Sequence, residues 1–165
     1  SGHDLRSSQL FDYIYNTFKL YDINPENIEF EVTESAYLEN FTLPSEFFRR
    51  IGNMGCAIAL DDFGTGYSSL SYLTQINIDT LKVDRQFVME IQTSERSRLV
   101  TGAIIDLAKR LSLSVCAEGI ENLEQWNYLR EHGCDNVQGF MFSKPIPLSE
   151  LTCSPSHYSD SSFSV

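Results

Sequence analysis

Ala57-Ile58-Ala59-Leu60-Asp61-Asp62-Phe63-Gly64-Thr65-Gly66-Tyr67-Ser68-Ser69 decides the reading of this chain. Its opening apolar run has no strict alternation, so it reads as a strand, Cys56 to Leu60, covered on both faces. Two adjacent carboxylates end the run. A loop punctuated by Gly64 and Gly66 follows, and glycine permits backbone shapes that other residues resist. Carboxylates held at a strand end suit a hard divalent cation, because Mg2+ and Mn2+ prefer oxygen ligands. The first expectation is therefore metal-dependent phosphoryl-transfer chemistry.

The same arrangement recurs on either side. Strands are expected at Ile28 to Thr33, Thr80 to Val83, Leu113 to Ala117 and Asn136 to Gln138. Helical spacing of apolar residues predicts helices over Leu5 to Tyr21 and Ser97 to Leu111, with a shorter one at Ser68 to Leu73. Asn122 to His132 is another, with Asn122 as its cap and Gly133 as its stop. Strands alternating with helices of this length predict an α/β fold with about five parallel strands and flanking helices. Each strand finishes in polar groups: Glu31 and Glu34, Asp61 and Asp62, Lys82 and Asp84, Glu118 and Glu121, and Gln138. Parallel sheets collect their chemistry at the carboxyl ends of their strands. A lone acid there is usually a solvated loop charge; five successive strand ends are harder to dismiss.

Composition narrows the partners. The 165 residues carry a formal net charge of −11, which argues against DNA, RNA or an anionic membrane surface as a non-specific partner. An anionic substrate stays possible, because a bound cation reverses the local field. Cys56, Cys116, Cys134 and Cys153 include no CxxC pair, so zinc is disfavoured. Cys56 and Cys116 lie in apolar runs and read as buried reduced thiols, which points to a reducing, cytoplasmic setting. No apolar run reaches the roughly 20 residues that span a bilayer. Trp126 reads as helix packing, and Thr152 to Val165 as a flexible serine-rich tail after a domain covering residues 1–151.

Several segments, taken in order, resemble one family. Glu31-Val32-Thr33-Glu34-Ser35 resembles ExTES, and Asp61 to Leu70 matches DDFGTGYSSL. Leu81 to Arg85 resembles LKIDR, and Ala117 to Glu121 resembles AEGVE. Gly133-Cys134-Asp135 with Gln138 to Pro145 resembles GCD…QGYLFSKP. By these motifs the chain resembles the EAL family of cyclic di-GMP phosphodiesterases, enzymes of bacterial second-messenger signalling. The resemblance implies a TIM-type (β/α)8 barrel. It also implies hydrolysis of cyclic di-GMP to linear pGpG with two Mg2+ or Mn2+ ions. Glu31, Asp61, Asp62 and Asp84 would be metal ligands. Lys82 and Glu118 would be catalytic, Lys82 at the attacking water and a phosphate oxygen and Glu118 as its base. Gln138 would join the substrate or water shell. Glu34 would anchor the loop Phe63 to Ser69, with Glu121 in a like role. A homodimer is implied too, with sensor or cyclase domains in the parent protein.

Two family features have no counterpart. No Glu-Ala-Leu tripeptide occurs, and no asparagine precedes the first helix. The motifs therefore correspond to the C-terminal two-thirds of the domain, a truncated EAL domain with an incomplete barrel; a full barrel takes about 250 residues. The chain alone is accordingly expected to be inactive. Two other readings stay open: a non-catalytic module that binds cyclic di-GMP or a protein, and a generic α/β metal-dependent hydrolase. At single positions, Lys82 could simply snorkel from a strand end, and Gln138 could be a structural amide.

Overall fold

A computed structural model describes residues 8–38, 44–64, 73 and 77–150. The strands are β1 (Glu29–Thr33), β2 (Ala57–Phe63), β3 (Thr80–Val83), β4 (Ser114–Glu118) and β5 (Asn136–Gln138). The helices are α1 (Ser8–Tyr21), α2 (Glu34–Leu38), α3 (Pro44–Asn53), α4 (Arg85–Met89), α5 (Glu95–Arg110) and α6 (Leu123–Glu131). All five strands are parallel, and they lie side by side in chain order. A doubly wound sheet reverses its strand order at a switch point. Sequential order is instead the winding of a barrel wall, and among the described residues β1 and β5 do not pair to close it.

The two faces of the sheet differ because successive side chains alternate. One face carries Val32, Ile58, Leu60, Leu81, Val83, Val115 and Ala117, all buried. Phe47, Phe48 and Ile51 of α3 join this core, as do Ile104, Ile105 and Ala108 of α5 and Leu129 of α6. Each fully buried aliphatic side chain contributes about 1.5–3 kcal/mol. The other face carries Glu29 and Glu31, Ala57 and Ala59, Thr80 and Lys82, Ser114, Cys116 and Glu118, and Asn136 and Gln138, as the strand register requires. The functional side chains therefore rise from a polar face that the helices leave uncovered.

Several expectations need correction. β2 does not stop at Leu60; it runs through Asp61 and Asp62 to Phe63, so the acid pair lies inside the strand. A register shift between Leu60 and Phe63 accommodates it. β1 and β4 start one residue later than expected, and β4 continues to Glu118. The helix expected from Ser97 begins at Glu95, because the Ser94 hydroxyl accepts the Ser97 N–H at 3.1 Å and fixes the start. Asn122 caps α6 in the same way, at 3.1 Å from the Gln125 N–H. Helices α2, α3 and α4 were not foreseen. Cys116 is half-buried rather than buried; Cys56 is buried, and both are free thiols. Trp126 packs edge-on against Phe142, ring centroids 6.1 Å apart. Apart from Leu73, the short helix expected at Ser68 to Leu73 lies outside the described residues, as does the tail from Thr152. Among the described residues no helix is long and apolar enough to cross a membrane.

Candidate active site

Lys82 is the centre of the site. It sits on β3, with its side chain 5% exposed, between the apolar Leu81 and Val83. Its ammonium lies 2.6 Å from Glu31 Oε1 on β1, 2.6 Å from Glu118 Oε1 on β4 and 3.4 Å from Asp61 Oδ1 on β2. Four neighbouring strands thus converge on one cation at their carboxyl ends. Burial works against the charged ammonium. The hydrogen bonds to Glu118 and Glu31 outweigh it, and the lysine pKa is raised. Lys82 is therefore charged and engaged, and the snorkelling alternative does not describe it.

Asp62 is drawn in by backbone geometry. Adjacent residues on a regular strand face opposite ways, but Asp62 has φ 56°, in the left-handed region, at the register shift of β2. Bulges of this kind re-aim side chains beside active sites. The Asp62 amide donates to Asp61 Oδ1 at 3.0 Å. Burial, and then the charges of Asp61 and Asp84, push the Asp62 carboxyl above its usual range, and a hydrogen bond to Asp84 acts in the same direction. Asp84 also caps α4, accepting the Gln86 N–H at 2.8 Å.

The remaining predicted residues hold loops or orient these groups. Gln138 on β5 donates from Nε2 to Glu118 Oε1 at 2.7 Å, so all five strands contribute. Glu34, 2% exposed, accepts the Gly64 N–H at Oε2, 3.1 Å away, which ties the start of α2 to the exit of β2. Gly64 has φ +94°, and a Cβ there would stand 3.0 Å from the Phe87 ring. Glu121 pairs with the Arg85 guanidinium at 2.8 Å. Arg85 had no assigned role in the sequence; its signal was its place directly after Asp84, opposite the last acid of Ala117 to Glu121. It fastens the β3 exit to the β4 exit, and its stem lies against Gly119, where a Cβ would be 2.3 Å from Arg85 Cγ.

The donor set suits Mg2+ or Mn2+: every candidate ligand is a carboxylate, and the repulsion from Asp61 and Asp84 that adds to burial in raising the Asp62 pKa is what a dication relieves. Among the described residues no three acidic, cysteine or histidine side chains stand around a common metal position. Glu31, Asp61 and Glu118 are gathered on the Lys82 ammonium instead.

Comparison with known proteins agrees with this geometry. The model of the EAL domain matches residues 1–145, and the chain belongs to the EAL-domain family. Cyclic di-GMP phosphodiesterase NbdA of Pseudomonas aeruginosa is 46% identical over 124 residues, 75% of this chain and 16% of that protein. The structure of PaMucR phosphodiesterase in complex with c-di-GMP superposes with TM-score 0.87 at 33% identity, covering 92% of this chain and 62% of that one. A manganese and cyclic di-GMP complex of BlrP1 from Klebsiella pneumoniae gives TM-score 0.78 at 31% identity, covering 84% and 36%. The neighbours are EAL barrels, so the five parallel strands are the wall of a TIM-type barrel. The chain spans less than a fifth of the length of NbdA and of another curated relative, signaling protein YkoW of Bacillus subtilis.

Proposed function

We propose that this chain supplies one side of the active site of a cyclic di-GMP phosphodiesterase, hydrolysing one phosphodiester to linear pGpG. The observation that carries the reading is Lys82, held by Glu31, Asp61 and Glu118 from three other strands, beside the repelling pair Asp62 and Asp84. Glu31, Asp61, Asp62 and Asp84 would hold Mg2+ or Mn2+. Such ions stabilise charge on the attacking and leaving oxygens of an in-line displacement.

The chain's own residues have separable tasks. Glu118 Oε accepts the proton of the attacking water; it is anchored by Gln138 Nε2, so its free lone pairs are aimed. Lys82 presents a fixed positive charge to a non-bridging phosphate oxygen, worth more in a partly dry site than in water. The Glu34 contact with Gly64 holds the exit of the strand that carries the acids. Within these 165 residues neither the family's Glu-Ala-Leu glutamate nor its asparagine is present. The same proposal therefore holds that this chain alone turns over little or no substrate. It extends to a homodimer and to sensor or cyclase domains in the parent protein.

Calorimetry with Mn2+ and then cyclic di-GMP, followed by an assay for pGpG, tests the reading. Metal-dependent binding of the dinucleotide is expected; binding of neither ligand would overturn it. A second reading, a module that binds cyclic di-GMP without cleaving it, is favoured by the ammonium standing where three carboxylates meet. Dinucleotide binding that is indifferent to Mn2+ would select it.

A further inference from the structure

Two side-chain bonds on the polar face of the sheet skip a strand. Thr80 Oγ1 on β3 donates to Glu29 Oε2 on β1 at 2.8 Å. Lys82 Nζ on β3 donates to Glu31 Oε1 on β1 at 2.6 Å. Strand β2 lies between both pairs, and its neighbours on either side are roughly 10 Å apart, two strand spacings. The register places Glu29 beside Ala57 and Glu31 beside Ala59, with Thr80 beside Ala59 one step further along. Each bond therefore crosses β2 on a diagonal: Glu29–Thr80 climbs from the level of Ala57 to that of Ala59, and Glu31–Lys82 starts at Ala59 and ends one alternation beyond it. Ala59 is fully buried, although it stands on the face the helices do not cover. The Glu31–Lys82 bond starts beside it, from the residue paired with Ala59 on β1.

We infer that Ala59 is a positioning residue for the site: its methyl group is the low floor over which Glu31 and Lys82 meet, with Ala57 serving the Glu29–Thr80 bond. A β-branched side chain at position 59 suits a strand intrinsically, yet it would stand in the gap and separate Glu31 from Lys82. The role in catalysis rests on the phosphodiesterase reading above; the positioning itself does not.

The test compares Ala59→Val, Ala59→Gly and Ala57→Val by NMR, following the through-hydrogen-bond correlation between the Lys82 ammonium and the Glu31 carboxyl carbon. Ala59→Val should lose the correlation, while Ala59→Gly and Ala57→Val keep it. Its survival in Ala59→Val, or its loss in either of the others, overturns the inference. Ala59→Gly and Ala57→Val remain decisive should Ala59→Val not fold. A thermal-denaturation cycle with Glu31→Ala adds a second readout: the Tm loss caused by Ala59→Val should at least halve once Glu31 is gone, and strict additivity counts against the idea. Mn2+ affinity should weaken about tenfold in Ala59→Val and hold in Ala57→Val. A wild-type chain that binds no Mn2+ would sink the proposed function, while the NMR result would still judge Ala59.

Discussion

Acids stand at both ends of this sheet, and they are satisfied in opposite ways. At the amino end, Asp79 and Asp135 each lie one residue before a strand. Asp79 Oδ2 accepts the Ile58 N–H at 2.8 Å, and its own amide donates to the Ile58 carbonyl at 2.8 Å. Asp135 Oδ2 accepts the Val115 N–H at 2.8 Å, and its amide donates to the Val115 carbonyl at 3.1 Å. The device is used twice, at β2–β3 and at β4–β5: an aspartate clasps the second residue of the strand before it. At the carboxyl end, Glu31, Asp61 and Glu118 share one ammonium, while Asp62 and Asp84 repel. The first set is satisfied by backbone groups and, at Asp135, by the Lys109 ammonium as well. The second is short of positive charge, which is the condition of a binding site. Barrel proteins in general keep stability at the amino face and chemistry at the carboxyl face.

Removing Lys82 breaks this contrast most severely. Lys82→Met leaves three carboxylates facing one another, and losing one partner of a buried ion pair costs about 3–5 kcal/mol. Their exposure places the loss at the low end of that range. Millimolar Mn2+ should restore much of it by taking the ammonium's place, and should raise the Tm of the variant more than that of the wild type. A Tm unmoved by Mn2+ would show that the carboxylates do not act together. At the other end of the sheet, Asp79→Ala removes one backbone clasp and should cost about 1 kcal/mol. It should leave Mn2+ affinity untouched, and a change there would erase the distinction between the ends.

The sequence showed the carboxyl-end acids far better than the amino-end ones. Asp61 and Glu118 follow apolar runs, and Glu31 and Lys82 stand between apolar neighbours, so strand periodicity alone lines them up. Asp79 precedes its strand as any loop aspartate would, and nothing in composition shows that it reaches Ile58. The strands were legible as short segments in which apolar residues run together, as in β2, or alternate with polar ones, as in β1. The end of β2 was not, because Asp61 and Asp62 are poor strand formers kept in the ladder by a bulge. Helix α4 is only five residues long and depends on the Asp84 cap, too short for a periodic signal. The ion pair of Arg85 with Glu121 joins residues 36 apart, which no local pattern reports.

The smallest effects test the sign of the contrast. The Asp62 pKa is raised, so its ionised form costs stability above its folded pKa; acidification through that pKa returns stability, since the folded state takes up its proton first. Asp135 is the reverse. Burial opposes its charge, but Lys109 and the Val115 N–H win, and its pKa is lowered. Its contribution is present above the unfolded value of 3.8 and is lost as pH falls through the folded pKa. Asp62→Asn should therefore stabilise the metal-free chain at pH 7 by up to about 1 kcal/mol, helped by the tolerance of asparagine for the left-handed region. That gain should shrink towards acid pH, and the variant should lose Mn2+ affinity. Asp135→Asn should destabilise at pH 7 by a similar amount, with the deficit fading below the unfolded value. Denaturant titrations across pH 3 to 7 would show the two curves converging on the wild type from opposite sides. Two curves on the same side would mean that the carboxyl-end acids are as fully satisfied as the amino-end ones, and that the site is not short of a cation after all.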